Sequence, residues 1–306
     1  MLSSFFNKSK PINFVFIGLY MILVYTMAHY LANANFQNTS ILLSIAGLLV
    51  YLATPLVLFN VLQRNELTRP NSYALFLFAF FSATIPTGLI AVDVLLANLF
   101  IMLALRSLLS LRNEKRTKSK IFDASILIAL ATFTYFWSIL FFALIYLAIA
   151  FFARRNYRHW IIPIVGFATV YILTTCLYLL FQDTLIPHNE YITQLSIDFS
   201  GYQNPRSIFS VGVLMISGVF FLFVYMARFR RKPALVKSVL RLIIAQLIIG
   251  ICVVVLSAKR EISELYFLVC PLALISTTYF ETDLNDIVKE INIWVLFILP
   301  FLLLLF

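Results

Sequence analysis

Lys259 and Arg260 stand side by side in the string LSAKREISEL, a pair that could clamp a phosphate or pyrophosphate. The guanidinium offers two parallel hydrogen bonds and the ammonium a mobile point charge. A competing reading makes the string a solvated connector in which the cations pair with Glu261 and Glu264, contacts worth little energetically. Arg206 is the third cation grouped with them as a phosphate ligand. Asp93, within IPTGLIAVDVLLANLF, could act as a base or hold a divalent cation if it faces a cavity. Alternatively, it caps the helix that follows, since Asp is favoured before an apolar run.

Residues 182–207, QDTLIPHNEYITQLSIDFSGYQNPRS, carry Asp183, His188, Glu190 and Asp198. They could supply acid–base groups, with Glu190 the candidate catalytic acid, or oxygen ligands for Mg²⁺ or Mn²⁺. The solubility of a polar loop accounts for the same residues. His29, His159 and His188 do not form one metal site, because His159 falls on the other side of the membrane from the other two in the topology below. No HExxH or cysteine-pair spacing is present, so no protein metal centre and no organic cofactor are expected. Cys176, Cys252 and Cys270 all lie inside apolar stretches and read as small buried hydrophobes.

These residues must be carried by membrane spans. The 306-residue chain is 62% hydrophobic and 12% charged, against about 45–50% apolar and about 25% charged in soluble domains. That excludes soluble folds, secreted disulfide scaffolds and disordered chains. Apolar runs place spans near 13–32, 41–62, 160–181, 208–227, 241–258, 265–280 and 287–306. Residues 72–109 would make a helix of about 57 Å at 1.5 Å per residue, too long for one crossing, and Pro86 with Gly88 predicts a turn near 86–93. Residues 124–153 divide for a different reason. A single crossing there would move Arg154, Arg155, Arg158 and the later cluster around Arg228–Lys232 outside, against the positive-inside rule. Two short helices meeting near Tyr135–Ser138 remove the conflict.

The expectation is therefore an all-α polytopic integral membrane protein of about eleven transmembrane helices, including two short pairs, forming one domain over 1–306. The amino terminus lies in the cytoplasm, the first span being retained rather than cleaved as a signal peptide. Of the 23 Lys and Arg residues, all but Arg206, Lys259 and Arg260 fall on the cytoplasmic side. The net charge of +10 then reports topology, not nucleic-acid binding. Eight glycines and no charge at a span centre disfavour a transporter, which stays the third reading.

The strings FFNKSKPINF (5–14), LLANLFIMLALRSLLSL (95–111), KSKIFDASILIALATFTYFWSILFFALIYLAIAFF (118–152) and NYRHWIIPIVGF (156–167) resemble a family of multipass inner-membrane proteins of Bacteroidota without an established activity. The resemblance runs over most of the chain. More distantly, the short-helix pairs and KREISELYFLVCPLALIS (259–276) are similar to the GT-C glycosyltransferase superfamily, membrane enzymes that take sugars from polyprenyl-phosphate donors on the outer face. That likeness implies a GT-C-like core, lipid phosphate at Lys259 and Arg260, and an acidic position at Asp93. The chain departs from the pattern in its first outer loop, ANANFQNT (32–39), which contains no acid where those enzymes keep a catalytic one. The expected function is binding of a polyprenyl-phosphate-linked glycan at the outer face of the bacterial inner membrane, with sugar transfer as its catalytic form. The alternative is a non-catalytic scaffold or accessory subunit docked to an envelope protein partner.

Overall fold

The computed structural model describes residues 6, 10–33, 41–65, 71–113, 116–154, 156–182, 205–229, 234–257, 262–281 and 286–305. Among these the chain is helical, with no strand. The helices are α1 (Pro11–Asn33), α2 (Ile41–Arg64), α3 (Tyr73–Ala83), α4 (Pro86–Ile90), α5 (Val92–Leu109) and α6 (Thr117–Thr134). They continue with α7 (Phe142–Phe152), α8 (Arg158–Gln182), α9 (Pro205–Phe229), α10 (Ala234–Leu256), α11 (Tyr266–Phe280) and α12 (Asp286–Leu305). Short 3₁₀ turns cover Ser110–Asn113, Phe136–Phe141 and Ile262–Leu265. A helix satisfies its own backbone polar groups, which is what an apolar chain must do in lipid.

Among the described residues, seven helices are long and apolar enough to cross a membrane. The protein is thus a membrane protein by length and composition. The difference from eleven lies largely in the short and charged elements. α3 and α7 have 11 residues each, about 16 Å of helix, and α6 carries Lys118, Lys120 and Asp123 in its first turns. Both anticipated interruptions are present. Ile85 and Ala91 leave helical geometry on either side of α4, where Pro86 starts the short helix. Tyr135 is extended at φ −143° and ψ 111° between α6 and the Phe136–Phe141 turn, so α7 turns back toward the Ser110–Asn113 end.

Burial sorts the helices into a centre and a rim. Every residue of α3 is buried and nearly all of Ile262–Phe280 is, whereas Arg158–Phe181 is mostly uncovered. α3, α5 and α11 form the centre, with α1, α2, α9 and α10 packed around them and α8 leaning on α6. Between helices already in lipid, burial of apolar surface is not the driving force, and close packing and polar contacts decide. Here aromatic rings do much of that packing. Tyr73 stacks on Phe280 at 5.5 Å between centroids, and Phe221 of α9 meets Tyr279 edge-on at 5.5 Å. Such pairs add about 0.5–1.5 kcal/mol each beyond area.

The two ends of the bundle differ in charge. Arg64, Arg106, Arg112, Arg116 and Lys120 gather where α2 and α5 end and α6 begins. Lys120 donates to the Ser110 carbonyl at 2.5 Å, and its partial burial lowers its ammonium pKa from the ordinary value. Two further ties close this end: Asn71 donates to Glu281 at 2.7 Å, and Ser72 donates its backbone N–H to Phe6 at 3.0 Å. The opposite end holds the end of α1, the α4 interruption, Tyr135 and the Ile262–Leu265 turn.

Candidate functional site

The end opposite the arginines brings together polar groups from elements far apart in sequence. Tyr135, at the break between α6 and α7, donates its phenol proton to Glu264 Oε1 at 2.7 Å. The Ser257 hydroxyl, just past the end of α10, donates to the same carboxylate oxygen and lies 2.9 Å from the Tyr135 oxygen. Two hydroxyl protons serve three edges, so one edge lacks a proton unless the carboxyl group carries one. Ser257 and Glu264 are each 1% exposed. Hydrogen bonds to a charged group contribute about 1.5–3 kcal/mol each, and a buried carboxylate requires them.

Local sequence explains why each group is available. Tyr135 is free of helix because the chain is extended there, and its ring rests on Phe267 of α11 at 5.3 Å. The Ser257 amide still bonds to the Val253 carbonyl, which sets the hydroxyl at the last turn of α10. Glu264 sits in a tight turn whose neighbours Ser263, Leu265 and Tyr266 are all buried. This turn packs on α4, so the two interrupted segments meet at one end of the bundle.

Asp93 lies near this cluster, close enough for its charge to act on the Tyr135 phenol. It is exposed, in the first turn of α5, while Ala91 occupies the capping position and no side chain caps the helix. The capping alternative therefore does not hold. The carboxylate instead complements the positive end of the helix dipole, worth about 0.3–1 kcal/mol at an exposed site. His29 of α1 lies beside the same interruption, its ring tilted against that of Tyr25 at 4.4 Å between centroids.

Of the other residues singled out, Lys259, Arg260 and Glu190 lie outside the described residues. Arg206 falls in the first turn of α9, its side chain likewise outside them. Tyr135, Ser257 and the burial of Glu264 are what sequence reasoning missed. Glu264 read as a solvent-exposed partner for the adjacent cations, yet it is enclosed. The available signal was its place directly before the apolar run LYFLVCPLALIS, which leaves a turn there little access to water. Among the described residues, no group of three or more His, Cys, Asp or Glu is arranged to hold a metal ion.

Residues 5–306 match DUF6427, a family of unknown function. The chain belongs to this family. Comparison with curated proteins found no match, and comparison with solved structures found none either. In this DUF6427 protein the functional reading rests on the geometry of the cluster itself.

Proposed function

We propose that this protein binds a polyprenyl-phosphate-linked glycan at the bundle end that carries Asp93, Tyr135, Ser257 and Glu264. The observation that supports this reading is that Tyr135 gathers Ser257 and Glu264, the residues that bracket Lys259 and Arg260 in the chain. Lys259 and Arg260 fall between Ser257 and Glu264 in the sequence, and on this proposal they serve the phosphate. The proposal assigns Lys259, Arg260 and Arg206 to the phosphate, and Asp93, Glu190 and Glu264 to the sugar as its acids. Transfer of the sugar is the catalytic form of the proposal, with Mg²⁺ or Mn²⁺ as an optional companion of the phosphate. A GT-C-like core fits the interrupted helices, which open irregular backbone where a headgroup would lie.

Native mass spectrometry of protein purified in mild detergent tests the binding. The wild type is expected to retain a polyprenyl-phosphate species that Lys259→Ala plus Arg260→Ala loses by about tenfold or more, as two charge-assisted contacts are removed. An equal amount of that lipid in both proteins would overturn the assignment of the cations, and its absence from the wild type would overturn the reading.

The same proposal carries the finer topology: about eleven passes, the amino terminus in the cytoplasm and the protein in a bacterial inner membrane. In a background with all three native cysteines replaced, a cysteine at exposed Asp93 is expected to label from outside and one at exposed Arg116 from the cytoplasm. Labelling of both from one side would refute it.

A second reading, an accessory subunit of an envelope complex, is favoured by α8, which leaves most of its length uncovered. A photo-crosslinker at exposed Ile172 would then capture one protein partner in the cell, and capture of lipid alone would count against it.

A further inference from the structure

At the opposite end of the bundle, α2, α5 and α6 border a half-open cavity of about 500 Å³. Arg64 and Arg106 line it together with Leu103, Ser107, Ser110 and Leu127. Among the described residues neither guanidinium has an ion-pair partner. Asp123 stands one helical turn before Leu127, exposed, and makes no ion pair with either arginine. Two like charges opening on one space repel each other, and an anion placed between them adds two attractions at shorter range that outweigh the repulsion. Lys120, held on the Ser110 carbonyl at 2.5 Å, adds a third cation beside the lining residues.

We propose that this cavity binds the phosphate of an anionic phospholipid headgroup. Arg64 and Arg106 would grip the phosphate oxygens, for which the planar guanidinium has the right spacing of donors. The Ser107 hydroxyl offers a further donor, while the Ser110 hydroxyl is already committed to the Ser107 carbonyl at 2.7 Å. Leu103 and Leu127 give the same cavity an apolar wall that a free phosphate has no use for and that a glycerol backbone and its first acyl carbons can cover. The volume falls within the range of about 300–1,000 Å³ typical of small-molecule sites. The position is that of headgroups as well, because Arg64 ends α2 and Arg106 lies in the last turn of α5, both membrane-crossing by length and composition. Basic pockets between spans on the cytoplasmic side are where anionic lipids are held, and the arginine-rich end is the one the positive-inside rule assigns to that side. This site is independent of the glycan-lipid reading, which concerns the other end of the bundle.

The test uses the full chain in detergent with phosphatidylglycerol, phosphatidylcholine or inorganic phosphate as probe. Native mass spectrometry is expected to show one phosphatidylglycerol retained on the wild type at about tenfold or greater occupancy than on Arg64→Gln plus Arg106→Gln, with phosphatidylcholine retained equally by both. Thermal unfolding of the unmodified protein provides a readout that does not depend on the variant folding. Phosphatidylglycerol is expected to raise the midpoint where phosphatidylcholine and inorganic phosphate do not. Equal retention of phosphatidylglycerol by both proteins, or no selective rise in midpoint, would overturn the site. A rise with inorganic phosphate equal to that with phosphatidylglycerol would overturn the lipid as its occupant.

Discussion

Leucine at Gly166 is expected to separate α8 from α6 and to lower the stability of the protein by several kcal/mol, about 3 or more. A Cβ built on Gly166 would lie 1.7 Å from Ser125 Oγ and 2.8 Å from Ser125 Cβ, with the Phe122 carbonyl at 3.4 Å. A hydroxyl can rotate away, but a Cβ cannot, so even alanine forces the two helices apart. Overpacking of this kind costs about 1–3 kcal/mol for alanine, and leucine exceeds that range because its whole side chain must be accommodated. In membranes, glycine at such a contact is what allows two backbones to approach closely.

The effect is separable from the helix propensity of glycine. Gly18 and Gly212 have nothing within 4 Å of an added Cβ, so alanine there is expected to be neutral or stabilising by about 0.5–1 kcal/mol. Ser125→Gly should recover most of the loss in Gly166→Ala, whereas Ser125→Ala should recover little, because it keeps the Cβ. Thermal unfolding midpoints in one detergent, measured across these variants, check the series. A Gly166→Leu protein as stable as the wild type would refute the contact between α6 and α8.

Alanine at Glu264 is the second large effect. It removes the acceptor of the Tyr135 and Ser257 hydroxyls and leaves both beside a cavity, an expected loss of about 3 kcal/mol. Glu264→Gln keeps the shape and one carbonyl acceptor, so its loss should be smaller, about 1 kcal/mol. The two substitutions therefore distinguish a structural role from a chemical one. If Glu264 works on a bound sugar-phosphate, the glutamine variant should keep the fold and the retained polyprenyl lipid while losing transfer. If the carboxylate only holds the turn, transfer should follow stability across both variants. Tyr135→Phe completes the set, because it deletes one hydroxyl and preserves the ring on Phe267.

The contrast between Glu264 and Pro86 indicates which parts of this protein were readable from its residues. The turn at 86–93 follows from local chemistry: a run too long for one crossing, a proline that opens a helix and a glycine in a crowded position. Gly88 would place a Cβ 3.2 Å from the Tyr266 ring, so its smallness serves the packing of α4 on the core. The break at Tyr135 followed from charge instead, because only a return of the chain kept the later arginines on one side. Both inferences used information contained within a few tens of residues. The reading of Asp93 as a helix cap failed by two positions, since the interruption ends at Ala91 and α5 begins before the carboxylate.

The residues alone point to a helical chain suited to a membrane and to its two interruptions, near 86–93 and at Tyr135–Ser138. Apolar run length, turn residues and the sidedness of charge are local or additive properties, so they can be summed along a chain. Tertiary packing set which helices form the centre, and it enclosed Glu264 rather than leaving it solvated. It also brought Glu264 to Tyr135, 129 residues away, and set Arg64 and Arg106 around one cavity. Those outcomes depend on which apolar surfaces meet. In a chain whose helices are apolar on nearly every side, no residue pattern marks the face that turns inward.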